Sequence, residues 1–193
     1  MSADESPRIA PLEPPYEPSV NAELTKWMPP GAGMDPLALF RTMSRNSGLA
    51  EAMRPFGAHL LSRRSGLDKL AREVVIARVC ANNGCSYEWG VHVVAFAGAA
   101  GMSQEQIDAT ALPGVDDALW APREAALLRF TDALCARGSV DDAEWAAVGQ
   151  HFDDEQMLTL LALAGWYHVI SFITNGARVA QEPWAPVLAA TKR

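Results

Sequence analysis

Residues 73–92 of this 193-residue chain place Glu73, Cys80, Cys85, Tyr87, Glu88, Trp89 and His92 within a single short stretch. Asn82-Asn83-Gly84 interrupts it. Asn and Gly tolerate the left-handed backbone that ends a helix, so the stretch reads as helix, sharp stop, second helix starting near Cys85. A helix turns about 100° per residue, which puts Cys85, Glu88 and His92 within roughly 60° of one another on one face. Glu88 and His92 are also an i,i+4 pair, close enough to touch. A thiol, a carboxylate and an imidazole on one stripe form a proton-handling set if the stripe faces a cavity. His92 is the candidate general acid or base, because its pKa lies near neutrality and a carboxylate can orient it. Cys85 lies near a helix N-terminus, where the dipole favours thiolate. Glu73, an acid in an apolar helix, either pairs with Arg72, Arg78 or Arg178 or has a raised pKa and works with His92.

A redox pair is not expected from these cysteines. The position three after Cys85 is Glu88, Cys80 lies five residues back across the break, and Cys135 is distant in sequence. Bridging Cys80 to Cys85 would need favourable backbone geometry. A metal centre is not expected either. Cys85, Glu88 and His92 could supply three ligands, yet no His-x-x-x-His or Cys-x-x-Cys pair supports them. Tyr87 and Trp89 read as packing rather than catalytic residues, and their place beside the stripe makes them candidates to contact substrate. Further along, His168, Asn175 and Arg178 stand at i, i+7, i+10 in an apolar segment, close to one face. They are candidates for the opposite wall of a pocket, with Arg178 holding a carboxylate, or for a buried polar network between subunits.

The elements that must position these groups are helices. Residues 1–36 hold eight of the thirteen prolines, which excludes regular helix or central strand there. Leu12, Tyr16, Leu24, Trp27 and Met28 are too apolar for a free tail, so an extended arm lying on the body or on a neighbouring subunit is expected. Asp35-Pro36 reads as cap and first helical position. Helices are expected from Gly48 to Leu61, with Pro55 limiting or kinking it, and from about 67 to 81 after a capping-box-like Ser65-Gly-Leu-Asp68. The Cys85 helix should run to Ala100 and stop at Gly101. A short helix follows Ser103, residues 111–120 form a loop, and Pro122 starts a helix that Gly138 ends. Two more follow caps near Asp142 and Asp153, the last running to about Gln181 before Pro183 and Pro186. No segment alternates as a strand does. The expected architecture is all-α, seven or eight helices in a compact bundle over residues 37–181, with 182–193 a C-terminal tail.

Composition narrows the function classes. The chain is 49% hydrophobic with a net charge of −7, so it is globular and has no basic stripe for nucleic acid. Three cysteines in no framework spacing suggest a reducing compartment. The N-terminus lacks the basic start and apolar run of a signal peptide. The most apolar stretch, Met157 to Ile173, is shorter than the roughly 20 residues of a membrane span. A cytoplasmic protein without membrane or nucleic-acid partners is expected.

Glu73, followed by Cys85-Ser-Tyr-Glu88-Trp-Gly-Val-His92 and Ala-Phe-Ala-Gly, resembles the carboxymuconolactone decarboxylase family, whose superfamily includes the alkyl hydroperoxidase D enzymes. By position, Glu73 matches that superfamily's upstream Glu, Cys85 the first Cys of its Cys-x-x-Cys, and His92 its His. Glu88 stands where the peroxidase branch has its second, peroxide-attacking Cys, so the pattern looks like the decarboxylase-like branch. The resemblance implies an alkyl hydroperoxidase D-type helical fold, trimers or hexamers, and no cofactor. The function expected is a cofactor-independent lyase or isomerase acting on a small carboxylated lactone. His92 would donate the proton, Glu88 and Glu73 would tune it, and a conjugated lactone would be its own electron sink. The alternatives are a peroxide-linked oxidoreductase in which Cys85 is oxidised and an external thiol resolves it, and a non-catalytic oligomer.

Overall fold

A computed structural model describes residues 6–29, 31 and 33–188. The expectations for residues 1–5, Pro30, Ala32 and 189–193 lie outside the described residues. The described chain forms ten α-helical segments and no strand. In order they are α1 (Pro18–Trp27), α2 (Ala38–Met43), α3 (Ser47–Leu61), α4 (Lys69–Asn82), α5 (Ser86–His92), α6 (Gly98–Ala100), α7 (Gln104–Thr110), α8 (Pro122–Arg137), α9 (Asp142–Gly149) and α10 (Asp154–Ala177).

The centre is α4. Every residue from Ala71 to Cys80 is buried, so this helix is enclosed all round, as a core helix is. α8, α10 and α5 pack against it. Its charged side chains must therefore find partners inside the protein. Arg78 reaches Asp132 through Nε and Nη2, at 2.6 and 2.7 Å, and donates to the carbonyls of Thr110 and Gly114. It thereby ties α4 to the α7–α8 loop. Asp68, rather than Ser65, caps α4 by accepting from the Ala71 amide at 3.0 Å. Ser65 instead ends a short 3-10 turn, Arg63–Ser65.

α4 stops where the Asn-Asn-Gly sequence predicts. Gly84 has φ 60°, and the Cys85 amide donates back to the Cys80 carbonyl at 2.8 Å. α5 then begins with Cys85 as its N-cap residue. It does not run on as regular α-helix to Ala100. A π-helical turn, Val93–Ala97, separates it from α6, and Gly101 ends the run at φ 90°. Such π turns are rare and frequent at functional sites; this one starts on the residue after His92.

The N-terminal region departs from expectation. Helix was excluded across residues 1–36, yet α1 forms over ten of them with Pro18 at its first turn, where a missing amide costs nothing. No proline falls between Pro18 and Trp27. Leu24 is buried and Trp27 stacks on Phe40 with ring centroids 4.8 Å apart. Before α1 the chain runs without regular structure over its own body. Arg8 donates its amide to Ala177 O at 2.9 Å, and Arg41 and Arg45 donate to the carbonyls of Leu12 and Ala10. Asp35 does not cap α2. The Glu182 carboxylate accepts the Ala38 amide at 2.7 Å instead.

α10 is 24 residues long and, by length and composition, apolar enough to cross a membrane. The helix thus extends beyond the apolar stretch read from the sequence. Half of its most apolar window is buried against the other helices, and Asp153 and Gln156 close its N-terminus with a capping box. α10 packs beside α4, and at Gly57 of α3 a Cβ would lie 2.7 Å from the Trp166 ring.

Candidate active site

Three helices and one turn bring the proton-handling groups together. α4 supplies Glu73 and Cys80, α5 supplies Glu88 and His92, the α4–α5 turn supplies Cys85, and α10 supplies Tyr167, Ser171 and Thr174. All sit inside the protein: relative exposures are 2% for Glu73, 0% for Cys85, 6% for Glu88 and 4% for His92.

The His92 ring is held at both nitrogens. Nδ1 lies 2.7 Å from Glu73 Oε2 and Nε2 lies 2.9 Å from the Tyr167 hydroxyl. Glu73 in turn accepts from Arg72 Nε at 3.2 Å, and Arg72 is anchored on the Leu61 carbonyl. Burial pushes the Glu73 pKa up, but the His92 charge and hydrogen bond, with those of Arg72, hold it below the ordinary value. Burial would lower the His92 pKa. The charge and hydrogen bond of Glu73, and the charge of Glu88, outweigh this and raise it. His92 is thus biased toward its protonated form, between an anion and a phenol. Tyr167 remains protonated, pushed up by burial and by the nearby Glu88 and Glu73 charges.

Glu88 is the group poised to exchange a proton. Its Oε2 lies 3.6 Å from His92 Nε2, beyond a direct hydrogen bond. Burial raises its pKa; the His92 charge lowers it, the Cys85 charge raises it again, and it reaches about 7. An acid with that value gives or takes a proton at working pH.

Cys85 is drawn toward the thiolate form. The Cys80 thiol hydrogen-bonds to it, the largest cause of a pKa lowered to about 6. Burial opposes the shift, while Thr174, the Glu88 backbone amide and Ser171 add to it. Thr174 Oγ1 is 3.0 Å from Sγ. Cys80 goes the other way, its thiol pushed well up by burial and by its bond to Cys85.

The sequence-derived candidates therefore divide. Glu73, Cys85, Glu88 and His92 converge. Tyr87 and Trp89 point elsewhere: the Tyr87 hydroxyl donates to Glu182 Oε1 at 2.5 Å and accepts from the Leu39 amide, and Trp89 Nε1 donates to Thr110 at 3.0 Å. His168 and Asn175 meet the α4–α5 turn, with His168 Nδ1 3.2 Å from Asn83 Nδ2 and Asn175 Nδ2 donating to Asn83 O at 2.9 Å. Arg178 is the left-handed cap residue of α10 at φ 53°. Sequence reasoning missed Tyr167, Ser171 and Thr174, and named Arg72 as one of three cations that Glu73 could pair with. Tyr167 adjoins His168, and the i, i+4, i+7 spacing of Tyr167, Ser171 and Thr174 was the signal that could have found the α10 wall. Sequence reasoning also left Cys80 outside the site.

Two clefts on the surface lie away from this cluster. One of about 490 Å³ is lined by α8 and α9 residues including Arg129, with Trp120 and His151 beside them, and one of about 580 Å³ by α7 and the α7–α8 loop. The reacting groups are enclosed, and that favours small reactants. No group of His, Cys, Asp and Glu among the described residues has the arrangement to hold a metal ion.

Residues 48–133 match the carboxymuconolactone decarboxylase family. That segment contains Glu73, Cys80, Cys85, Glu88 and His92 but not α10. No curated protein matches the chain. Among solved structures, a protein of unknown function from Agrobacterium tumefaciens, described as a candidate AhpD antioxidant defence protein, is similar with a TM-score of 0.66. The identity is 20%, over 72% of this chain and 94% of that one. At that identity the likeness is one of fold.

Proposed function

We propose that this chain, whose residues 48–133 match the carboxymuconolactone decarboxylase family, is a thiol-dependent hydroperoxide reductase with Cys85 as the attacking group. The observation that carries this reading is the set of polar groups gathered round one sulfur: Thr174 Oγ1 at 3.0 Å, the Cys80 thiol, Ser171 and the Glu88 amide. A thiolate is the nucleophile, and such an environment holds one at neutral pH. Glu88 is the acid that protonates the departing alkoxide. His92, held by Glu73 and Tyr167, is a positioning residue that keeps positive charge beside Glu88. A hydroperoxide is small enough for a site whose groups are this enclosed. Three free thiols, Cys80, Cys85 and Cys135, suit a reducing compartment such as the cytoplasm, where reductant thiols are supplied.

The test is consumption of tert-butyl hydroperoxide by the full chain in the presence of dithiothreitol. Wild type should consume it, and Cys85→Ser should fall to the uncatalysed rate. Equal consumption by the two proteins overturns the reading.

One observation favours a second reading, decarboxylation of a small carboxylated lactone. Glu73, His92, Tyr167 and Glu88 form a continuous set of proton carriers that needs no sulfur. In that reading Glu88 delivers the proton to the carbanion and Arg178 holds the substrate carboxylate. His92→Gln would then abolish turnover while Cys85→Ser spared it. In either reading we place the chain in a homo-oligomer. Phe96, beside His92, and Val169 and Phe172 on α10 are large apolar side chains left exposed, as contact surfaces are.

A further inference from the structure

We propose that Cys80 is the resolving partner of Cys85, and that the two close a reversible intrachain disulfide across the α4–α5 turn. The inference rests on the peroxide reading of Cys85 and adds the residue that completes its cycle.

The turn itself brings the pair together. The amide of Cys85 donates to the carbonyl of Cys80 at 2.8 Å, so the backbone closes on these same two residues. Gly84 at φ 60° makes the closure possible. A disulfide needs Cα atoms roughly 4.4–6.8 Å apart with converging Cβ vectors. Both thiols are fully buried beside this turn, and each bears on the other's ionisation, with Ser171 of α10 acting on both. Cys135, by contrast, sits on α8 with Asn82, Asp132 and Arg78 as its polar surroundings. The division of labour within the pair follows from placement. Cys85 is the N-cap residue of α5, open to the amides of the first turn, whereas Cys80 lies in the last turn of α4, where carbonyls accumulate and thiolate is disfavoured.

The chemistry balances. The Cys85 thiolate attacks one oxygen of a hydroperoxide; a sulfur–oxygen bond forms, the oxygen–oxygen bond breaks, and the leaving alkoxide takes the Glu88 proton to give an alcohol. Cys80 sulfur then attacks the sulfenic sulfur of Cys85. A sulfur–sulfur bond forms, the sulfur–oxygen bond breaks, and hydroxide leaves with the Cys80 proton as water. The two thiols lose two electrons, the peroxide gains them, and Glu88 ends as a carboxylate. An external dithiol reduces the disulfide by exchange and returns the proton.

Reduced full-length protein is exposed to tert-butyl hydroperoxide and, separately, to diamide, then digested without reductant and weighed. The expected result is loss of two hydrogens from the single peptide carrying Cys80 and Cys85, with Cys135 still alkylatable. Cys80→Ala should stop at a Cys85 sulfenic acid that dimedone traps, and Cys135→Ser should behave as wild type. Hydroperoxide oxidation of wild type that stops at Cys85 while Cys80 remains alkylatable overturns the pairing but leaves the peroxide reading standing. Closure by diamide but not by hydroperoxide supports the pair and overturns the peroxide reading. No closure with either oxidant overturns the pair.

Discussion

Glu73 Oε2 lies 2.7 Å from His92 Nδ1, with both side chains buried and Arg72 closing the far side of the carboxylate. The pair is a pH-dependent strut. His92 is raised above 6.5, so its contribution is fully present below that value and fades as pH rises through its folded pKa. Glu73 is lowered below 4.5, so its contribution is present above 4.5 and fades as pH falls through its folded pKa. Removing one partner of a buried pair costs about 3 kcal/mol. Glu73→Gln should therefore lose most stability between these limits and less once pH has risen through the folded pKa of His92. Denaturant titrations across pH would show this, and a loss that is flat with pH would refute it.

Glu88 should behave oppositely. Its folded pKa of about 7 exceeds the ordinary value of 4.5, so ionising it as pH rises through this window weakens the fold. Glu88→Gln should be more stable than wild type at pH 8, by up to about 3 kcal/mol, and the gain should vanish at pH 4. The same variant should lose peroxide turnover. A stability difference that grows toward low pH would contradict the assignment.

Tyr167→Phe deletes one hydroxyl and leaves His92 Nε2 without its 2.9 Å partner. The expected cost in stability is about 1–3 kcal/mol, with helix content unchanged by circular dichroism. The imidazolium loses an acceptor, so the His92 pKa measured by NMR should fall. An unaltered His92 titration would show that the hydroxyl does not hold the ring.

Gly90 tests the outer support of α5. A Cβ there would lie 2.2 Å from the Pro186 carbonyl and 2.7 Å from Gln181 Nε2. Gly90→Ala should lift residues 181–188 off the helix and break their bond from the Leu188 amide to Ser86 Oγ, 2.8 Å long. Faster proteolysis near the C-terminus with little change at Cys85 is expected. Unchanged proteolysis would mean that the segment shifts without detaching.

The fold was largely readable because its signals are local. Ser103, Asp141 and Asp153 accept hydrogen bonds from amides three residues on, and Pro122 and Gly138 bracket α8. These depend on neighbouring dihedrals and spacing. Where the reading failed, a distant group had taken over. Glu182 caps α2 from 144 residues away, and α1 forms because a single proline at its start is harmless while Leu24 and Trp27 find a core to enter.

The site divides along the same line. The chain alone determined that Cys85, Glu88 and His92 share a stripe, since one helix places them, and that Glu73 lies in an apolar helix needing a partner. Only the tertiary structure decided what those groups are. Tyr167 reaches His92 across 75 residues and Thr174 reaches Cys85 across 89. Whether a buried acid is held ionised, as Glu73 is, or kept ready to give its proton, as Glu88 is, depends on the charges and donors around it. Those arrive from other helices through packing, which no short-range periodicity encodes.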